Sequence, residues 1–218
     1  MLRKKMNEVR EPQQQRSIQR ADDILEAAQK IIIEKGYAKL TITEIAERAN
    51  VTPGSMYQYF KNKSEIILML AKRNGIELYE MFRGVYQDRP SSVEDHAQRF
   101  LTVLDGQFLI HYQNPAIRDV WMGAATDKEM QNLFEEEDAR ALAFHVELAA
   151  PFFPAELHEE MTRTLLVIMR LGISATLAAL EYEHEEALKV LETTKRMVMS
   201  CWWDFVEANA IGTHKRPS

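Results

Sequence analysis

Thr52, Ser55 and Gln58 stand at three-residue spacing in a short segment that Thr41, Tyr57, Tyr59 and Lys63 flank. Small polar side chains near a helix start can reach base edges, while hydroxyls and an ammonium group hold phosphates. Such chemistry requires a rigid mount, and the neighbouring residues describe one. Thr41 and Glu44 have the spacing of a capping box at a helix start. Ile42, Ile45, Ala46 and Ala49 recur at helical spacing and form one apolar face about two turns long. Asn50 tolerates the left-handed backbone that ends a helix, Val51 plugs the corner, and Thr52-Pro53-Gly54 caps a second helix with a permitted first-turn proline. Met56 and Phe60, four apart, point inward. Residues 41–63 therefore read as a helix-turn-helix built to lie in DNA. Helices this short bury too little to be stable alone, so they need a scaffold. A competing reading is a corner packed only for stability, with Tyr57 and Tyr59 at the edge of its core.

With these residues in place, residues 17–66 resemble the DNA-binding domain of the TetR family of transcriptional regulators, of TetR/AcrR type. The resemblance runs through Gly36-Tyr37, Thr41, Ile45-Ala46, Ala49, Val51, Tyr57, Phe60 and Lys63. Asn50 stands where the family usually has glycine, Met56 replaces leucine, and Tyr59 replaces histidine. The first two changes preserve shape; Tyr59 keeps a donor but loses a titratable one. The resemblance implies phosphate contacts from Thr41, Tyr57, Tyr59 and Lys63, and base-edge contacts from Thr43, Gly54, Ser55 and Gln58, beside the Thr52 suggested by position.

The whole chain of 218 residues carries net charge -6, which taken alone argues against a nucleic-acid partner. Divided, it tells a different story. The first 63 residues hold 12 Lys and Arg against 8 Asp and Glu, a charge of +4; the remainder holds 15 against 25, or -10. The basic charge lies where the motif lies, as suits a protein that grips phosphate at one end. Arg3, Lys4, Lys5, Arg10, Arg16 and Arg20 suggest a basic arm beside the motif, or a disordered tail.

The remaining pattern is helical throughout, and the expected fold is all-α. The domain division expected is a flexible basic arm over 1–16, a three-helix DNA-binding domain with the helix-turn-helix over 17–62, a larger helical ligand-binding and dimerisation domain over 63–212, and a flexible tail over 213–218. Ile18, Ala21, Leu25, Ala28 and Ile32 stripe a first helix that stops at Gly36. Asn62 and Glu65 open a helix to about Gln87 that joins the domains, weakened locally by Gly75 and Gly84. Ser91 and Glu94 suggest the next cap, Asn114-Pro115 starts a short helix with Ile117, Val120 and Trp121, and Thr126 with Glu129 opens another to about Ala150. Two apolar helices follow, about 155–182 and 185–210. Their surface suits a four-helix bundle between two copies of the chain, an arrangement that the resemblance also implies. Two-fold symmetry then favours a pseudo-palindromic operator. Cys201, on a strip with Val198, Trp202 and Phe205, reads as core. No signal peptide precedes the motif, and Leu165 to Leu180 is interrupted by Arg170 and short for a membrane span, so the expected compartment is the cytoplasm.

The resemblance further implies a small-molecule pocket in the larger domain, whose occupation releases DNA. Candidate lining residues are Phe108, His111, Tyr112, Trp121, Met122, Phe144, His145, Met169 and Arg170. Their aromatic and thioether character points to an apolar or aromatic effector. Arg170 calls for a carboxylate of the same chain, of a second subunit, or of a ligand. His184 among Glu181, Glu183, Glu185 and Glu186, and the run Glu135–Asp138, read as solvated surface. No catalytic motif, metal-ligand spacing or cofactor-binding loop is recognised, and the expectation is a regulator that is not an enzyme. A constitutive DNA-bound structural protein and a helical enzyme with a vestigial DNA-binding domain stand as the alternatives.

Overall fold

The structure, a computed structural model, describes residues 2–114, 116–117, 119–120 and 128–209. All regular structure among them is helical. Eight α-helices follow in order: α1 Leu2–Lys35, α2 Ile42–Arg48, α3 Pro53–Met56, α4 Lys63–Val85, α5 Val93–Gln113, α6 Lys128–Ala149, α7 His158–Ala179 and α8 His184–Asn209. Residues 116–117 and 119–120 are also helical, where the short helix after Asn114 was expected. Trp121, Met122 and Thr126 lie outside the described residues, as does the tail from 213 onward.

The chain divides into two compact units, Met1–Asn74 with Pro115–Met130, and Gly75–Asn114 with Gln131–Ser218. The first unit thus extends beyond the 17–62 segment expected from the motif. The reason is visible in α4, whose first half buries Ile66, Ile67, Leu70 and Ala71. The division falls at Asn74–Gly75, inside that helix. The segment over 1–16, expected as an amino-terminal arm, is helical from Leu2 as part of α1. Its Lys, Arg, Gln and Glu are strong helix formers, and from residue 15 onward, where burial is described, the first buried side chains are Ile24 and Leu25, with Ile18 exposed.

In the first unit, Ile24, Ala28, Ile31, Ile45, Met56 and Ile66 are fully enclosed. An ion-pair network pins α2 to the end of α1: Glu44 takes Lys35 at 2.6 Å and Arg48 at 2.8 Å, and Arg48 also takes Glu34 at 2.7 Å. Arg73 of α4 pairs with Asp22 of α1.

In the second unit, α7 and α8 form an antiparallel pair that also packs on α5. Trp202, Trp203, Phe153, Phe100, Leu165 and Ile168 sit in one continuous core. Ser92, one residue later than expected, caps α5 by accepting from the Asp95 amide at 3.2 Å. Asp95 in turn accepts from the Ser91 amide and holds Arg99, which also reaches Asp88 and the Val85 carbonyl. That pairing holds the Asp95 carboxyl at about 2. Cys201 is exposed, not core. Residues 198, 202, 203, 205 and 206 fill the inward face of α8, and Cys201, about 100° from Trp202 on the side opposite Trp203, falls beyond its edge. Leu188 is 39% exposed, and its neighbour Ala187 faces the core instead.

Ala155–Ala179 contains an 18-residue window apolar enough, by length and composition alone, to cross a membrane, and one third of that window is buried. Its buried face is Met161, Leu165, Ile168, Gly172, Thr176 and Ala179. The opposite face leaves Leu166, Val167 and Leu171 40–51% exposed, and Arg163 and Arg170 share that face.

Candidate nucleic-acid interface

Thr41 ends the approach to α2 in extended backbone, and its hydroxyl accepts from the Glu44 amide at 3.3 Å. Only this half of the expected capping box is made, because the Glu44 carboxylate is engaged by Lys35 and Arg48. Asn50 has φ 53, the left-handed stop expected, and the Val51 amide donates to the Ala46 carbonyl at 2.9 Å to close the corner. Thr52 then caps α3. Its hydroxyl accepts from the Ser55 amide at 3.1 Å and donates to the Ser55 hydroxyl at 3.0 Å, so both hydroxyls are already partly committed to the cap. The second helix is tight and short. After Met56 the chain continues in single turns, with the Gln58 amide on the Ser55 carbonyl and the Tyr59 amide on the Met56 carbonyl.

Met56 and Phe60 are buried as expected, and this anchors everything between them. Tyr57 is 58% exposed. A packed-corner role for Tyr57 would bury it, so its exposure argues against the stability-only reading. Thr41, Thr43, Thr52, Gly54 and Gln58 are also exposed, whereas Ser55 and Tyr59 are half-buried. A Cβ on Gly54 would meet only the Thr52 hydroxyl at 4.0 Å, an ordinary contact. Nothing inside the protein therefore requires glycine there.

Lys63 differs from the simple phosphate-reaching picture. Its ammonium donates to the Tyr37 carbonyl at 2.8 Å and lies 3.9 Å from the centre of the Tyr37 ring. Half-burial pushes its pKa down. Sequence reasoning included Tyr37 only as part of the family pattern and missed this role as a seat for Lys63.

Of the expected effector residues that the structure describes, all lie in the second unit, and those other than Arg170 fall into two groups. Phe144 and His145 join Phe82, Tyr86, His96 and Phe100 in an aromatic nest, with Met169 packed on the adjoining core. Phe108 stacks on Tyr112 at 5.5 Å, and Tyr112 lies 4.8 Å from His184; Phe108 and the buried His111 belong to α5. Arg170 is on the surface and pairs with Asp138 at 2.8 Å, so the carboxylate it calls for belongs to the same chain. The nest holds polar atoms that sequence periodicity could not reveal. His145 Nδ1 lies 3.4 Å from His96 Nε2. Tyr86 Oη, His96 Nδ1 and Trp202 Nε1 are buried without hydrogen-bond partners. His96 and Trp202, with Phe100, Leu165, Ile168 and Met199, border a void of about 10 Å³, room for one water. None of the described effector candidates borders it.

Comparison with known proteins decides the family. Residues 24–70 match the family described as bacterial regulatory proteins, tetR family, and residues 94–201 match the tetracyclin repressor-like C-terminal domain. The chain belongs to the TetR family. The family is one of bacterial regulatory proteins, and the relatives the chain resembles carry the names of regulators. It is 32% identical over 71 residues to a fatty acid metabolism regulator protein of Bacillus subtilis (strain 168), covering 33% of this chain and 37% of that one. It is 38% identical over 76 residues to the HTH-type transcriptional regulator HbdR of Aromatoleum sp. (strain CIB), covering 35% and 30%. The chain thus spans about a third of the length of these relatives. The fold extends further: a TetR-family regulator from Streptomyces coelicolor superposes with TM-score 0.63 at 20% identity, covering 85% of this chain and 98% of that one.

Proposed function

We propose that this TetR-family protein is a homodimeric repressor that releases a pseudo-palindromic operator when a small apolar or aromatic effector enters its second unit. The observation that carries the DNA half is the exposed Tyr57 and Gln58 set on a fully buried Met56 and Phe60. In this reading Thr41, Tyr57, Tyr59 and Lys63 meet phosphates. Thr43, Thr52, Gly54, Ser55 and Gln58 meet base edges. The two classes separate experimentally. Tyr57→Phe is expected to weaken every duplex evenly, by about 1 kcal/mol, while Gln58→Ala shifts which base pairs are selected. Selection from a random-sequence pool followed by titration of the winners checks both. If Gln58→Ala selects the same sites as the wild type, Gln58 does not read bases. Gly54→Ala is a sharper control. Alanine is the better helix former by roughly 0.8–1 kcal/mol, so the variant melts no lower than the wild type yet binds operator less tightly. Equal affinity would remove Gly54 from the interface.

Two copies of the chain meet, in this proposal, through the exposed faces of α7 and α8. Leu166, Val167 and Leu171 supply apolar surface. Arg163 and Arg170 beside them, already paired to Glu159 and Asp138, suit a protein partner better than lipid. The same argument supports a cytoplasmic protein. Effector binding acts on DNA through α4, which runs continuously from Lys63 to Val85 and carries Gly75 at the division between the units. A coupling of roughly 1–3 kcal/mol is sufficient to change operator affinity 5- to 150-fold.

The orphaned Tyr86, His96 and Trp202 atoms support an effector that brings a hydrogen-bond acceptor into an aromatic cage. The nearest cation, Arg99, is already engaged by Asp88 and Asp95, so an anionic effector would find no free counter-charge there. A neutral probe such as 1-naphthol is expected to loosen the protein–operator complex more than 1-naphthoate does. The small size of the void favours one alternative, a constitutive DNA-bound protein with no effector. Operator binding that no neutral or anionic aromatic probe alters would favour it.

A further inference from the structure

We infer that Asp119 is a positioning residue for DNA binding: its carboxylate fixes the Gly36–Tyr37 corner, and Tyr37 in turn holds Lys63 ready for phosphate. The inference rests on the reading of Lys63 as a phosphate contact.

The corner begins with Gly36 at φ 80 and ψ 158, a backbone region open essentially to glycine alone. That conformation ends α1 and presents the Tyr37 amide, which donates to Asp119 Oδ2 at 3.1 Å. The same oxygen would sit 3.3 Å from a Cβ at position 36. Glycine is therefore required twice, by its backbone angles and by the carboxylate seated against it. Asp119 comes from far along the chain, in the short helical stretch where Ala116, Ile117 and Val120 are buried, so its position is fixed by packing in the first unit.

Tyr37 transmits that position. Its carbonyl takes the Lys63 ammonium at 2.8 Å and its ring lies beneath it at 3.9 Å. A free lysine side chain loses rotamer entropy when ordered. Here the ordering is done before DNA arrives, and an ammonium has three donors, so hydrogens remain after the Tyr37 carbonyl has taken one. Pre-organisation of this kind raises affinity by lowering the entropy lost on binding.

Charge alone makes the opposite prediction, which is what allows a clean test. Asp119 is an anion in the unit that meets phosphate, and removal of a mere anion strengthens DNA binding. Asp119→Ala, Asp119→Asn, Lys63→Ala and the Asp119→Ala/Lys63→Ala double variant are titrated against a duplex selected from a random pool by the wild-type protein, over a range of salt. Circular dichroism confirms the fold of each at the assay temperature. Asp119→Ala is expected to lose about tenfold in affinity and to flatten the dependence of log K on log salt by about one phosphate. Asp119→Asn, which retains an acceptor oxygen, keeps most of the affinity. The double variant binds no more weakly than Lys63→Ala. Tighter binding by Asp119→Ala, an unchanged salt slope, or penalties that add in the double variant would each overturn the inference. If Lys63→Ala itself leaves the slope unchanged, the phosphate reading of Lys63 fails. If Lys63→Ala flattens the slope and Asp119→Ala does not, only the role of Asp119 fails.

Discussion

Between pH 6.5 and about pH 4 the protein is expected to lose stability at a slope that reaches roughly 4 kcal/mol per pH unit, the combined effect of three buried histidines. Burial holds His96 and His111 at about 4 and His145 at about 3, against an ordinary 6.5. For His145 the neighbouring His96 adds to the effect, and for His96 the nearby Asp95 opposes it while Arg99 reinforces it. As the pH falls below 6.5 the unfolded chain takes up protons that the folded chain excludes, so stability declines with acidification. Each histidine contributes at most about 1.4 kcal/mol per pH unit while it is neutral folded and charged unfolded. Near pH 4 the folded forms of His96 and His111 begin to charge and the slope eases, with His145 last. A domain of ordinary stability, about 5–15 kcal/mol, has little left at pH 4.5. Chemical denaturation at pH 7, 5.5 and 4.5 measures the slope. His145→Phe, placed among Phe82, Phe100 and Phe144, should remove about a third of it. A wild-type slope smaller than one proton's worth would mean that these side chains are not held neutral in the fold.

That histidine nest marks the limit of what the sequence alone could disclose. Helix positions are written in local chemistry, and residues such as Thr41, Asn50, Thr52 and Asn62 perform the capping and stopping roles that their types and spacing suggest. The exposure of Tyr57 between buried Met56 and Phe60 follows from helical spacing in the same way. Contacts between distant segments have no such signature. His96 and His145 lie 49 residues apart and Tyr37 and Asp119 lie 82 apart, and no periodicity relates them. Ambiguity at the strip edges has a different origin. Cys201 and Leu188 are adjacent in sequence to inward residues, and a rotation of one residue decides whether such a side chain meets the core or solvent. Arg170 shows the reverse error, since an apolar sequence around it suggested burial while α7 turns it outward to Asp138. An apolar helix with two unlike faces reads as uniformly buried until its neighbours are known.

The exposed face of α7 leads to the second large effect. Leu171→Asp is expected to convert the protein to monomers and to lower operator affinity at least a hundredfold. Leu171 is 51% exposed, with Val167 and Leu166 beside it, so the substitution removes little from the core of a single chain and its melting temperature should scarcely move. In an isologous interface the same change occurs on both copies. Two carboxylates then have to be desolvated in a region whose nearest cations, Arg163 and Arg170, are already paired with Glu159 and Asp138. A dimer presents two helix-turn-helix motifs at a fixed separation, and linkage of two binding events multiplies affinity by about 10² to 10⁴; a monomer forfeits that factor. Sedimentation velocity gives the association state, and titration of a selected palindromic duplex gives the affinity. Loss of both together, with an intact fold, supports the interface. A variant that sediments as a dimer and binds as tightly as the wild type would place the subunit contact on another surface. A dimeric variant with weakened DNA binding would instead trace the effect to the geometry of the two motifs, because this face lies on α7 and carries none of the residues proposed to touch DNA.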